Sequence, residues 1–242
     1  MQRQFSQPMP EFDKPHISSN FDHSLRALHD SMLMMSALVE RSLVNAQAGL
    51  LQDDSGRCNQ VIADDEEIDA LEWQINRDVM GVILRFQPVS LDLRVVVATL
   101  KICVNLERIA DNAVDIARRA RKLSGHAPLP DSPALASIFQ DCVKFQRQVI
   151  EAFAKREALS PNYIENVRTA LVGRVQEYSD EAAQSYSSGQ GSAVNVSMEL
   201  VHIARLLEQV VDICRDIGSD TQFAFNPEYS RHTGEDAWPG SV

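Results

Sequence analysis

The sequence predicts an all-α protein made of two tandem three-helix bundles, and three observations predict it. Apolar residues recur at three- and four-residue spacing almost throughout, and no segment alternates polar and apolar as a strand would. Residues 124–133, with one glycine and three prolines, interrupt that pattern near the middle of the chain. The string Leu106-Glu107-Arg108-Ile109-Ala110-Asp111, closed by Asp115-Ile116, returns as Leu207-Glu208-Gln209-Val210-Val211-Asp212, closed by Asp216-Ile217, at a constant offset of 101 residues. Self-similarity at that spacing is the mark of a duplicated unit, here three helices.

The elements follow in order. Residues 1–20, rich in Gln, Pro and Ser, read as a disordered tail. Leu25, Leu28, Met32, Met35, Leu38, Val39, Leu43, Ala46 and Leu50 give the first helix over 21–51, and residues 53–56 break it. The group Met32, Met34 and Met35 reads as core filling. The second helix runs over 57–86 and ends before Pro88, because a residue preceding proline resists the helical region. Ser90 is the expected cap of the third helix, which runs to about residue 123. Beyond the linker 124–131, Ser132 before Pro133 starts the fourth helix and Ser160 before Pro161 the fifth. Gly189 and Gly191 separate the fifth from the sixth, which is expected to end near Gly218. The bundles are thus 21–123 and 132–220, and residues 221–242 read as a second tail.

Composition bounds the function. The chain has 242 residues and a formal charge of −11, which argues against a nucleic-acid binder. Its one dense basic run, Arg118, Arg119, Arg121 and Lys122, closes a helix, where cations complement the dipole. Cys58, Cys103, Cys142 and Cys214 form no CxxC pair and read as reduced thiols of a cytosolic protein, three of them within apolar helical patterns. No signal peptide is expected, and the most apolar run, 91–104, is broken by Arg94 and Lys101 and too short to span a bilayer. A membrane would be met only through a partner.

The repeated motif carries the chemistry. Glu107, Asp111 and Asp115, and again Glu208, Asp212 and Asp216, stand at i, i+4 and i+8. Successive acids drift by only about 40° around the helix and rise by roughly 6 Å, so each trio lines one side. The second helix adds Asp65, Asp69, Glu72 and Asn76. Like charges at this spacing destabilise a helix, so the rows need compensation or a use. One use is to hold a hard cation on carboxylate oxygens; the other reading is a solvated face with scattered ion pairs. Glu199 and His202 have the ExxH spacing of di-iron bundles, but no second such motif faces them. No phosphate loop and no nucleophile signature is present, so no catalytic residue is assigned.

The string Gln87-Pro88-Val89-Ser90-Leu91-Asp92-Leu93-Arg94, followed by Lys101-Ile102 and by Leu106-Glu107-Arg108-Ile109-Ala110-Asp111, resembles the signature of the PhoU family of phosphate-regulatory proteins. Phe21-Asp22 with Leu25 and Leu28, and Val39-Glu40, fit that family's first helix. The likeness covers residues 21–123 well and thins over 132–220. It implies two three-helix bundles and metal ions, iron or zinc, at the acidic stripes. It implies a non-enzymatic negative regulator of phosphate uptake and starvation signalling in the cytoplasm. Such a regulator acts between the ATPase subunit of a phosphate ABC transporter and a sensor histidine kinase. A homodimer is the expected assembly. Carried over residue by residue, the metal candidates are Asp65, Asp69, Glu107, Asp111 and Asp115 in the first half, and Glu208, Asp212 and Asp216 in the second.

The second half departs from the family pattern. Gln209 replaces the motif arginine, Val211 replaces its glycine (as Ala110 does in the first half), and Arg215 stands where the first copy has Val114. In the fifth helix the acids opposite can be Glu177 with Glu181, or Asp180 alone. If one half alone loads metal, it should be the half with Asp111. The alternatives are a carboxylate-bridged di-metal enzyme and a purely structural helical adaptor.

Overall fold

Six helices follow one another among the described residues: α1 (Lys14–Leu51), α2 (Ser55–Phe86), α3 (Ser90–Lys122), α4 (Ser132–Lys155), α5 (Pro161–Ser187) and α6 (Ser192–Phe225). The structure, a computed structural model, describes residues 14–125, 129, 132–187 and 192–226, with side chains over 19–125, 129, 133–184 and 195–226. No strand occurs among them. Helices α1, α2 and α3 pack on one another as one three-helix bundle, and α4, α5 and α6 as a second.

Local chemistry sets most of the boundaries. Asp54 caps α2, its Oδ1 accepting the Arg57 amide at 3.1 Å. Gln87, left-handed at φ 48°, closes the same helix ahead of Pro88. Ser160 caps α5 as expected, accepting the Tyr163 amide at 3.2 Å. Ser90 does not cap α3: Val89 holds that position without a side-chain bond, and Ser90 is the first helical residue, with φ 51°. The Ser132 side chain, Gly189 and Gly191 lie outside the described residues.

Both outer ends are more helical than the expected tails. Helix α1 begins at Lys14, and α6 passes Gly218 and Asp220 to reach Phe225. The cause in α6 is packing. Ile217, Thr221 and Ala224 continue the buried stripe, the Gln222 amide donates to the Leu159 carbonyl, and Phe225 lies 5.6 Å from Phe153. Gly218 is no stop signal. A Cβ there would come within 2.7 Å of Ile164 Cδ1, so the glycine lets α5 and α6 approach closely.

One continuous core joins the bundles along α3 against α6 and α1 against α4. Helices α3 and α6 run antiparallel. Lys101 pairs with Asp220 at one end, and Arg119 and Lys122 grip Glu199 at 2.8 and 3.1 Å at the other. Midway between these pairs lie Ala110 and Val210, both fully buried. Helix α4 docks on α1 through Gln146, whose amide donates to Ser36 Oγ at 3.0 Å, and Gln47, whose amide donates to the Ala136 carbonyl at 3.1 Å. Met32 and Met35 fill the first core, but Met34, grouped with them on sequence, is 58% exposed. All four cysteines are buried and unbridged. No described helix is long and apolar enough to cross a membrane.

Candidate functional site

Helices α2 and α3 form an antiparallel hairpin turning at residues 87–89, and the hairpin brings their acidic rows face to face. The electrostatics record the meeting. The Asp65 carboxyl is raised by burial, then by Asp69 of its own helix and Asp111 across the groove. Burial also raises Glu107, followed by Asp111, Glu72, Asp69 and Asp65. Asp111 is raised by burial, then by Asp69 and Asp115. Arg118 pulls Asp65 and Asp111 downward without reversing either. It is held instead by Asp115 at 3.2 Å. Among the described residues, no lysine or arginine forms an ion pair with Asp65, Asp69, Glu72, Glu107 or Asp111.

The donor set suits a hard cation. It consists of carboxylate oxygens plus Asn76, whose amide nitrogen donates to Glu72 at 3.1 Å while its buried Oδ1 lacks any donor. A buried acceptor without a partner costs stability, and a cation or a donating ligand removes that cost. Cys103 lies on the same row of α3, but burial and the nearby Glu72 and Glu107 push its thiol up to about 12. Its Sγ lies 3.5 Å from Met35 Sδ, so it belongs to the core and stays protonated. Among the described residues, no three His, Cys, Asp or Glu side chains stand grouped closely enough to hold a metal ion. Unneutralised carboxylates repel one another, and binding would require them to swing inward.

The second copy is arranged differently. Arg168 of α5 faces Asp212 of α6 at 2.6 Å, where the first bundle sets Asp65 opposite Asp111. Arg168 also holds Glu165 at 3.2 Å, Arg215 binds Asp216 at 2.8 Å, and Gln176 donates to Glu208 at 3.5 Å. Asp212 and Asp216 are therefore each paired with an arginine. Asp180 borders a hollow of about 280 Å³ with Gln176, Arg205 and Glu208, which mixes charges instead of concentrating them. Arg168 is the charged residue at this row that the sequence pattern does not reveal: only the hairpin register sets an arginine opposite Asp212.

Glu199 is also accounted for. Burial alone would raise its carboxyl, but hydrogen bonds from Arg119 and Lys122 outweigh burial and hold it below the ordinary range. It is a strut between α3 and α6, which removes the acid from the ExxH pair with His202.

Comparison with known proteins gives a consistent picture. Residues 32–120 match the family model described as the PhoU domain. The chain is 28% identical over 230 residues to the phosphate-specific transport system accessory protein PhoU homolog of Pseudomonas putida, covering 90% of this chain and 86% of that protein. It is 26% identical over 225 residues to the accessory protein PhoU of Escherichia coli (strain K12), covering 91% of each. The crystal structure of PhoU from Pseudomonas aeruginosa superposes with a TM-score of 0.79 at 25% identity, over 84% of this chain and 98% of that one. The phosphate transport system regulatory protein PhoU from Streptococcus pneumoniae gives 0.71 at 18% identity, a likeness of fold.

Proposed function

We propose that this chain, which carries a PhoU domain within a PhoU fold, is a non-catalytic regulator of phosphate transport. The observation that carries the reading is the reach of the likeness. It extends through both bundles, well beyond the matched 32–120 segment. The relatives are named as accessory proteins of the phosphate-specific transport system. In that role the chain would act in the cytoplasm as a homodimer, docking on a transporter ATPase and a sensor histidine kinase as a negative regulator of starvation signalling.

In this reading the α2–α3 groove holds a cation. Asp65, Asp69, Glu107 and Asp111 would supply oxygens, with Asp115 at the rim and Glu72 and Asn76 behind. Of the two metals that the resemblance implies, iron suits this all-oxygen set better than zinc, which favours nitrogen and sulfur. The ion's chemistry would be charge neutralisation, making it structural or sensory. Glu208, Asp212 and Asp216 would stay unloaded, because Arg168 already pairs with Asp212 and Arg215 with Asp216. No feature favours the di-metal enzyme, since Glu199 is engaged by two cations.

Pull-down of the cognate transporter ATPase and sensor kinase by the full chain tests the adaptor role. Capture of at least one, and derepressed starvation genes on deleting the chain, are expected. Capture of neither, with unchanged phosphate regulation after deletion, would overturn it.

A further inference from the structure

The solvent-facing side of α2, between the acidic row and α1, carries a surface that the acidic groove does not use. Trp73, Met80 and Leu84 are 63%, 53% and 74% exposed. Their i, i+7, i+11 spacing lines them along one crest about 16 Å long, three helical turns. Beside the crest, Arg77, Gly81 and Arg85 wall a hollow of about 380 Å³ between α1 and α2, with His23 across it and Leu28, Val82 and Phe86 among its lining. The α1–α2 register is fixed by Phe21 against Phe86 at one end and Arg41 on Asp64 at the other. That register brings Met34, itself exposed, level with Trp73, so apolar surface continues along the groove.

Charge distinguishes this groove from the acidic one on the other side of α2. The chain is acidic overall, yet here Arg77, Arg85 and His23 face only Asp78. Arg77 pairs with its sequence neighbour Asp78 at 3.7 Å and lies 4.9 Å over the Trp73 ring. The Arg85 guanidinium lies 6.0 Å from the Phe86 ring. Among the described residues, no carboxylate from another helix answers either arginine. Gly81 sits between them, and a Cβ there would meet nothing within 4 Å, which leaves the middle of the groove open to another backbone.

We propose that the α1–α2 groove docks an acidic amphipathic helix of a partner protein. Its apolar face would lie on Trp73, Met80 and Leu84, and its carboxylates on Arg77 and Arg85. This is helix-in-groove recognition, with apolar anchors for affinity and charge for orientation. A second copy fits less well, because a two-fold axis at Gly81 sets Arg77 of one chain against Arg85 of the other. An anionic membrane fits less well too, since an extended surface would also meet Asp64, Glu66 and Glu67 along the same helix, whereas a helix as short as the 73–85 crest would not. The inference rests on the adaptor reading for its biological sense. Its test uses no transporter or kinase component, so the two can fail separately.

The probe is a fluorescein-labelled synthetic amphipathic helix with leucines on one face and glutamates flanking them, read by anisotropy on the full chain. The control carries lysines in place of the glutamates. Binding of the glutamate peptide but not the lysine peptide is expected. Arg77→Glu with Arg85→Glu should weaken binding about tenfold or more, because two attractive charge contacts become repulsive. Gly81→Trp, placed in open space, should abolish it with circular dichroism and melting unchanged, while Asp111→Asn leaves it intact. Equal binding of both peptides, or binding indifferent to Gly81→Trp, would overturn the proposal. So would dissociation of a dimer by Gly81→Trp, or displacement of the peptide by anionic vesicles.

Discussion

At Asp111 the cost of gathering like charges can be followed directly. Burial and the neighbours Asp69 and Asp115 raise its carboxyl, as burial and neighbouring acids raise Asp65 and Glu107. The native state therefore holds more protons than the unfolded chain between the ordinary carboxylate range, about 4, and the raised values. Across that window stability falls as pH rises and returns on acidification. Asp111→Asn removes two i, i+4 like-charge pairs, so urea melts at pH 7 should show a gain of about 0.5 kcal/mol and a shallower pH dependence. The α3 row was legible in the sequence because a 3.6-residue period fixes which side chains share a face. Arg168 was not, because what α5 sets opposite Asp212 depends on hairpin register, which local spacing does not encode.

At the scale of elements, α5 and α6 show where local signals mislead. Gly218 reads as a helix end, yet α6 runs on to Phe225 and the glycine serves contact with Ile164. Gly218→Ala gains about 1 kcal/mol of helix propensity and loses about 1–3 kcal/mol to overpacking. The expected result is a small net destabilisation, with Ile164→Val restoring stability in the double mutant. A chemical-denaturation cycle reads this coupling. Additive effects of the two changes would show that the contact is slack. Ser90 makes a similar point: a good capping residue stands inside α3 because the turn at Gln87 and Pro88 fixes where the chain re-enters the helix. Helix number and the central break were legible because each rests on many residues, whereas single-residue boundaries yielded to tertiary packing.

At the scale of the molecule, the sequence repeat foretold two bundles but not how they join. Their core is continuous, with α3 and α6 crossing between the Lys101–Asp220 pair and the Glu199 cluster. Phe145, fully buried in α4, should cost about 3–5 kcal/mol on truncation to alanine. Because the bundles share a core, calorimetry should record one transition at lower temperature, and a split into two peaks would mean that the halves fold independently. The duplicated rows differ in what surrounds them. Both copies keep the E-x3-D-x3-D row, but Asp111 of the first meets Asp69 across its hairpin, whereas Asp212 of the second meets Arg168.

Calorimetric titration of metal-stripped protein with ferrous iron, in wild type, Asp69→Asn/Asp111→Asn and Glu208→Gln/Asp212→Asn, tests this asymmetry most directly. Binding by wild type and by the second-bundle variant, lost in the first-bundle variant, is the predicted result. No binding by wild type, or equal loss in both variants, would contradict it.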